Sequence, residues 1–216
     1  MGKVPNGRMG GIIMLDRTLR SIKEIIFLPF AKQAGKILHP NLITLLSFAA
    51  GLVSIYFILE RSLMSGLLFW LINRVLDGLD GTVARITGKS SDFGGYLDIV
   101  LDFIIYSAIP VAFIFSDSSR ENYFILSLLL SSYYVNAASW MYLSSILEKR
   151  NLGAASNNEM TSITMPSGIA DGTMTIIFYT MFFILPSYLK LLFALFIILV
   201  LASIVQRVVW AYLKIR

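Results

Sequence analysis

Cysteine is absent from the 216 residues and histidine occurs once. Without a thiol, neither a disulfide framework nor thiolate metal ligation is available. Charge is scarce as well: 14% of the residues are charged against 56% hydrophobic, and the mean hydropathy is +0.74. A chain with that apolar excess exceeds what one soluble core buries, so a water-soluble globule is excluded. Low-complexity tracts, long linkers and internal repeats are missing, which gives no basis for a second folded domain. A dedicated basic face is also lacking, so nucleic acid is not expected as a partner.

What is present is a succession of apolar segments. A bilayer core about 30 Å thick takes roughly 20 apolar residues per helix. Six segments follow one another, Asn41 to Leu59, Leu63 to Leu76, Gly95 to Phe115, Tyr123 to Leu147, Ile169 to Leu185 and Leu189 to Tyr212. The expected fold is therefore all-α and polytopic, with six transmembrane helices in a membrane domain of residues 41–216. The second segment is short unless its helix runs on through Asp77 and Asp80. With the N-terminus inside, 15 of the 18 basic residues fall on the inner side and only Arg61, Arg120 and Lys190 outside, as the positive-inside rule asks. Both termini are then cytoplasmic, and the net charge of +5 reads as topology and contact with anionic membrane lipids.

Residues 1–40 read as a cytoplasmic arm. From Met14 to Leu38, Leu15, Leu19, Ile22, Ile25, Ile26 and Phe30 alternate with Arg17, Arg20, Lys23, Lys32 and Lys36. This is the pattern of a basic amphipathic helix lying in the interface. Pro29 suggests a kink or break within it, and charges at short intervals do not read as a secretory signal. Its expected role is to anchor and position the first span; a lid over a ligand's entry path is the sharper alternative.

Between the second and third segments stands Asp77-Gly-Leu-Asp80-Gly81-Thr-Val-Ala84-Arg85, followed by Gly94, Asp98 and Asp102. On helices, Asp77 and Asp80 are i and i+3, and Asp98 and Asp102 are i and i+4, so each pair projects to one side. Two facing helices would gather four carboxylates at a membrane boundary. Such a cluster repels itself, and divalent cations relieve the repulsion. Hard oxygen donors with no cysteine and no nearby histidine suit Mg²⁺, Mn²⁺ or Ca²⁺ better than Zn²⁺. Two ions so held would clamp a phosphate for in-line displacement. Gly78, Gly81 and Ala84 clear side-chain bulk where a diphosphate would approach, and Arg85 offers bidentate donors to phosphate oxygens. Gly94 and Gly95 are read as the turn into the third helix, with Ser90 and Ser91 as caps or ligand groups. The bland reading is that the acids are interfacial caps and ion-pair partners for Arg74, Arg85 and Lys89.

The run Asp77-x2-Asp80-Gly81-x2-Ala84-Arg85-x8-Gly94-x3-Asp98-x3-Asp102 resembles, at every fixed position, the signature of the CDP-alcohol phosphotransferases. Pro40-Asn41-x2-Thr44 and the six-segment body extend the likeness over most of the chain. The resemblance implies a transfer in which an acceptor hydroxyl attacks the phosphorus next to the donor's retained alcohol, and CMP leaves. It implies two divalent ions, Mg²⁺ or Mn²⁺, held by Asp77, Asp80 and Asp98, with Asp102 ligating the second ion and taking the hydroxyl proton. Gly81 and Arg85 would contact nucleotide and diphosphate, with Ser91, Asn41 and Thr44 beside them. The implied donor is a CDP-linked lipid, CDP-diacylglycerol or its ether counterpart, handled at the cytoplasmic face of a homodimer. Arg207 resembles a basic position lining the acceptor pocket in members that use phosphorylated alcohols. Against this, Tyr142 to Leu147 lacks the basic pattern expected of a phosphoinositol-type acceptor site. Glycerol 3-phosphate, an inositol phosphate, serine and choline all remain open.

Asp171 either lines the acceptor pocket or caps the fifth helix. His39, beside Pro40, reads as an interfacial residue rather than a base. An ion- or proton-coupled transporter is the competing class, since intramembrane carboxylates also relay ions. Transporters pair broken helices in repeated halves, whereas here the acids sit in one helix pair. A membrane prenyl-transferase would need two separated acidic motifs.

Overall fold

The computed structural model describes residues 27–116, 119–153, 168–170 and 172–215. Every regular element named among them is helical: α1 (Pro40–Leu59), α2 (Leu63–Ile86), α3 (Asp92–Ser116), α4 (Arg120–Lys149), α5 (Gly172–Ile184) and α6 (Leu189–Ile215), with a 3₁₀ turn at Pro186–Tyr188 before α6. Each of the six expected segments carries one helix. Four of them, α1, α3, α4 and the run from Pro186 to Ile215, are long and apolar enough to cross a membrane. The other two depart from a simple span. α2 does run on through Asp77 and Asp80 to Ile86, so polar residues dilute its apolar character, while α5 has only 13 residues. Large apolar side chains such as Leu45, Leu52, Leu68, Ile198 and Val205 are exposed along the helices, as expected where lipid rather than water is the neighbour.

α1 is the inner post of the bundle, packed against both α2 and α3. It starts with His39 as N-cap, whose Nδ1 accepts from the Asn41 N–H at 3.3 Å, and with Pro40 in the first turn, where its fixed φ and missing donor cost nothing. Thr44, Ser47, Gly51 and Ser54 form a buried stripe of small residues along it, the surface that lets membrane helices approach closely. Ser54 Oγ donates to the Gly66 carbonyl on α2 at 2.8 Å. A Cβ on Gly51 would come within 2.5 Å of Ile105 Cδ1 on α3. Gly51→Leu is therefore expected to lower stability by about 1–3 kcal/mol through overpacking. A drop in the thermal midpoint of detergent-purified protein checks this, and an unchanged midpoint would show that the α1–α3 seam yields.

The remaining core joins α2 to α5 and α4 to α6, around Trp70, Leu129, Tyr179, Phe182, Phe193 and Phe196. Before α1, residues 27–34 are helical, and Ala31, fully buried, packs with Ile43 of α1 and Val83 of α2. Most of the expected amphipathic helix, residues 14–26, lies outside the described residues. So do Asp171 and residues 154–167.

The turn between α2 and α3 differs from expectation. Gly94 and Gly95 lie inside the first turns of α3, and the reversal is made at Gly88, whose φ is +65°. The Lys89 N–H donates to the Ala84 carbonyl at 2.9 Å and the Gly88 N–H to Arg85 at 3.3 Å, the paired bonds of a glycine-terminated helix end.

Candidate active site

α2 and α3 carry the acids, and few close backbone approaches join the two helices directly. α1 holds both, so the acids converge across a gap between α2 and α3. One carboxylate oxygen from each of Asp77, Asp98 and Asp102 lies within 4.8 Å of the others. All three residues are half-buried. Asp80, 5% exposed, stands beside this trio rather than in it: Thr44 Oγ1 donates to its Oδ2 at 2.6 Å, and its other oxygen accepts from the Gly81 N–H. Asp98 nonetheless lies within electrostatic reach of Asp77, Asp80 and Asp102 together. A close set of carboxylate oxygens with no softer donor fits a hard divalent cation. Asp77, Asp98 and Asp102 would hold such an ion, with Asp80 positioned by Thr44 at the edge.

The expected donor residues fall around the same end of the bundle. A Cβ on Gly94 would lie 3.1 Å from both Asn41 Oδ1 and Ser91 Oγ, so the absent side chain of Gly94 is what lets α1 meet the start of α3. Ser91 Oγ accepts from the Gly94 N–H at 3.1 Å, which makes it an N-cap of α3. A Cβ on Gly81 would lie 3.3 Å from Arg85 Nη1, and Arg85 is exposed, its Nη2 donating to Thr82 Oγ1 at 3.4 Å. Thr44 and Ser91 thus have structural partners here, one orienting an acid and the other starting a helix.

Arg207 is buried on α6, its Nη1 donating to Asn136 Oδ1 at 2.7 Å and Ser139 Oγ at 2.9 Å on α4. A Cβ on Gly168 would approach its Nη2 to 2.7 Å. The guanidinium is thus packed between α4 and the segment leading toward α5. A cavity of about 570 Å³ lies at the opposite end of the bundle, lined by Arg61, Asn122, Pro186 and Lys190 among others. The acid cluster is not part of it.

Arg74, read from the sequence only in the bland account as an ion-pair partner of the acids, does pair with them. It is buried on α2, its Nη2 donates to Asp102 Oδ1 at 2.7 Å, and its Nη1 lies 3.7 Å from Asp77 Oδ2. Its place in an apolar run was a usable signal, since an arginine inside a span needs a polar partner. The short contact is to Asp102 on the neighbouring helix, with Asp77, at i+3 on the same helix, farther off.

Comparison with known proteins agrees with this geometry. The family model described as CDP-alcohol phosphatidyltransferase matches residues 37–211. The chain is 28% identical to the inner membrane protein YnjF of Escherichia coli over 180 residues, 81% of this chain and 84% of that protein. It is 41% identical over 64 residues to an archaetidylinositol phosphate synthase of Pyrococcus horikoshii, covering 29% of this chain and 34% of the synthase. It is 39% identical over 75 residues to a CDP-diacylglycerol–serine O-phosphatidyltransferase of Helicobacter pylori, covering 34% and 31%. The chain thus spans only about a third of the length of those two synthases. A family match over most of the chain, with the motif acids gathered between two helices, shows that the protein belongs to the CDP-alcohol phosphatidyltransferase family of transferases.

Proposed function

We propose that this protein transfers a phosphatidyl-type group from a CDP-linked lipid, CDP-diacylglycerol or its ether analogue, to an alcohol and releases CMP. The observation that carries the reading is the convergence of Asp77, Asp98 and Asp102 oxygens within 4.8 Å in a chain of this family. Two Mg²⁺ or Mn²⁺ ions would supply charge neutralisation for the diphosphate and for the departing CMP oxygen. Asp77, Asp80, Asp98 and Asp102 hold that charge in place, and Gly81 leaves room for the nucleotide beside Arg85. Asp102 takes the acceptor's hydroxyl proton as the acceptor oxygen bonds to the lipid-side phosphorus and the bond from that phosphorus to the CMP oxygen breaks. Asn41 and Ser91, meeting at Gly94, frame the donor end.

The wider reading has six crossings, with residues 1–40 as an interfacial arm and 41–216 as the membrane domain. The site and both termini face the cytoplasm, and the chain works as a homodimer. The placement of basic residues supports the orientation and the six helices support the crossings, while the homodimer follows from the family resemblance.

For the acceptor we favour a phosphorylated alcohol, on the strength of the buried Arg207. CMP release from CDP-diacylglycerol with Mn²⁺, measured with glycerol 3-phosphate, an inositol phosphate, serine and choline in turn, is expected to single out one of the first two. In that assay Arg207→Ala should raise the acceptor KM at least about tenfold, the value of one lost charge-assisted contact, with little change for the donor. Turnover with serine or choline alone, or equal weakening of donor and acceptor, would remove the phosphorylated acceptor from the proposal.

A further inference from the structure

Arg74 is gripped by the fold on every side except the one facing the acids. Its Nε donates to Asn73 Oδ1 at 2.7 Å, and Asn73 Nδ2 in turn donates to the carbonyl of Ser47 at 2.8 Å and to its hydroxyl at 3.0 Å on α1. The guanidinium lies 4.8 Å from the ring centres of both Trp70 and Tyr106, and Nη1 also donates to the Tyr106 hydroxyl. Those rings are themselves held. Trp70 Nε1 donates to Thr180 Oγ1 at 3.2 Å and its ring stacks on Tyr179 at 5.2 Å. The Tyr179 hydroxyl donates to the Tyr106 carbonyl and lies 3.0 Å from that of Tyr133 on α4. Five helices therefore set the plane of one guanidinium, and its free edge meets Asp102, with Nη2 to Oδ1 at 2.7 Å and Nη1 to Oδ2 at 3.4 Å.

We infer that Arg74 is the positioning residue for Asp102: the fold fixes the guanidinium, and the guanidinium fixes which carboxylate oxygen faces the reacting groups. Oδ1 is held close by Nη2, while Oδ2, more loosely held, is the oxygen left to face the reacting groups. A planar fork does this and a point charge does not. The inference rests on the metal-dependent transfer proposed above.

The test uses the full-length, detergent-purified protein. Arg74→Lys keeps the charge and loses the fork, and is expected to lower kcat between about 10- and 100-fold, as loss of an outer-shell partner does, with donor and acceptor KM within about threefold. Tyr106→Phe keeps the ring, removes one bond to the guanidinium, and should lower kcat in the same direction by a smaller factor. Arg74→Gln should leave the Mn²⁺ concentration for half-maximal thermal stabilisation unchanged or lower, because a competing positive charge has gone. Wild-type kcat in both Arg74→Lys and Tyr106→Phe overturns the inference. So does a Mn²⁺ requirement that rises in Arg74→Gln in step with lost turnover, since Arg74 would then merely build the metal site. If the Arg74 variants do not fold, Tyr106→Phe decides alone. A wild-type protein that needs no divalent ion fails the metal reading itself, a result distinct from any of these.

Discussion

Asp98→Asn should reduce CMP release by roughly 10³-fold, the equivalent of about 4 kcal/mol of transition-state stabilisation. Asp98 feels the other three acids, Asp77, Asp80 and Asp102, so it stands where one carboxylate could serve two cations. An amide there loses both the charge and one ligand oxygen. Asp102→Asn should lose turnover to a similar degree but for a different reason, because it abolishes the proton acceptor while Asp77, Asp80 and Asp98 keep the diphosphate's cations. Binding separates the two. CDP affinity, measured in the presence of Mn²⁺, should fall strongly in Asp98→Asn and much less in Asp102→Asn. Equal losses would remove the distinct base role given to Asp102. A second sign distinguishes lost chemistry from lost folding: without metal, Asp98→Asn should be more stable than the wild type, since it removes one member of a self-repelling cluster.

Metal removal should be as severe. Protein washed with EDTA is expected to release CMP at a rate below about 1% of the starting value, because acids and an anionic diphosphate cannot share the site without cations between them. Mg²⁺ or Mn²⁺ should restore the rate. The same ions should raise the thermal midpoint, since a ligand at a hundredfold excess over its Kd adds about 2.7 kcal/mol to the folded state. The chelated protein should remain folded, because Arg74 already offsets part of the acidic charge by pairing with Asp102 and lying near Asp77. Full activity after chelation would be the end of the two-metal mechanism.

The fold was legible where apolar length decides it and obscure where packing does. All six segments became helices, but the second reaches Ile86 rather than Leu76. Its charged residues interrupt the hydropathy without interrupting the backbone bonds. The fifth begins at Gly172 rather than Ile169, since Ala170 is tied instead to α6, its N–H donating to Ser203 Oγ at 2.7 Å. In the site, spacing along α2 and α3 foretold the convergence of Asp77, Asp98 and Asp102. It could not foretell that Thr44, reaching from another helix, would draw Asp80 aside. Nor could it foretell that Arg74 would bridge to Asp102 in preference to its sequence neighbour. Both are contacts between residues far apart in the chain, set by how α1 seats the other two. The turn glycine was misplaced for a related reason: Gly94 is small because Asn41 approaches it, while Gly88 supplies the positive φ.

The seat of Ala31 carries an implication for biosynthesis. Its two partners, Ile43 and Val83, emerge from the ribosome after it, the second only when α2 is nearly complete. Residues 27–34 therefore cannot reach their final place until the α1–α2 hairpin exists. Because helices insert before they pack, docking of this segment follows formation of the helix pair, at the end that carries Gly81 and Arg85.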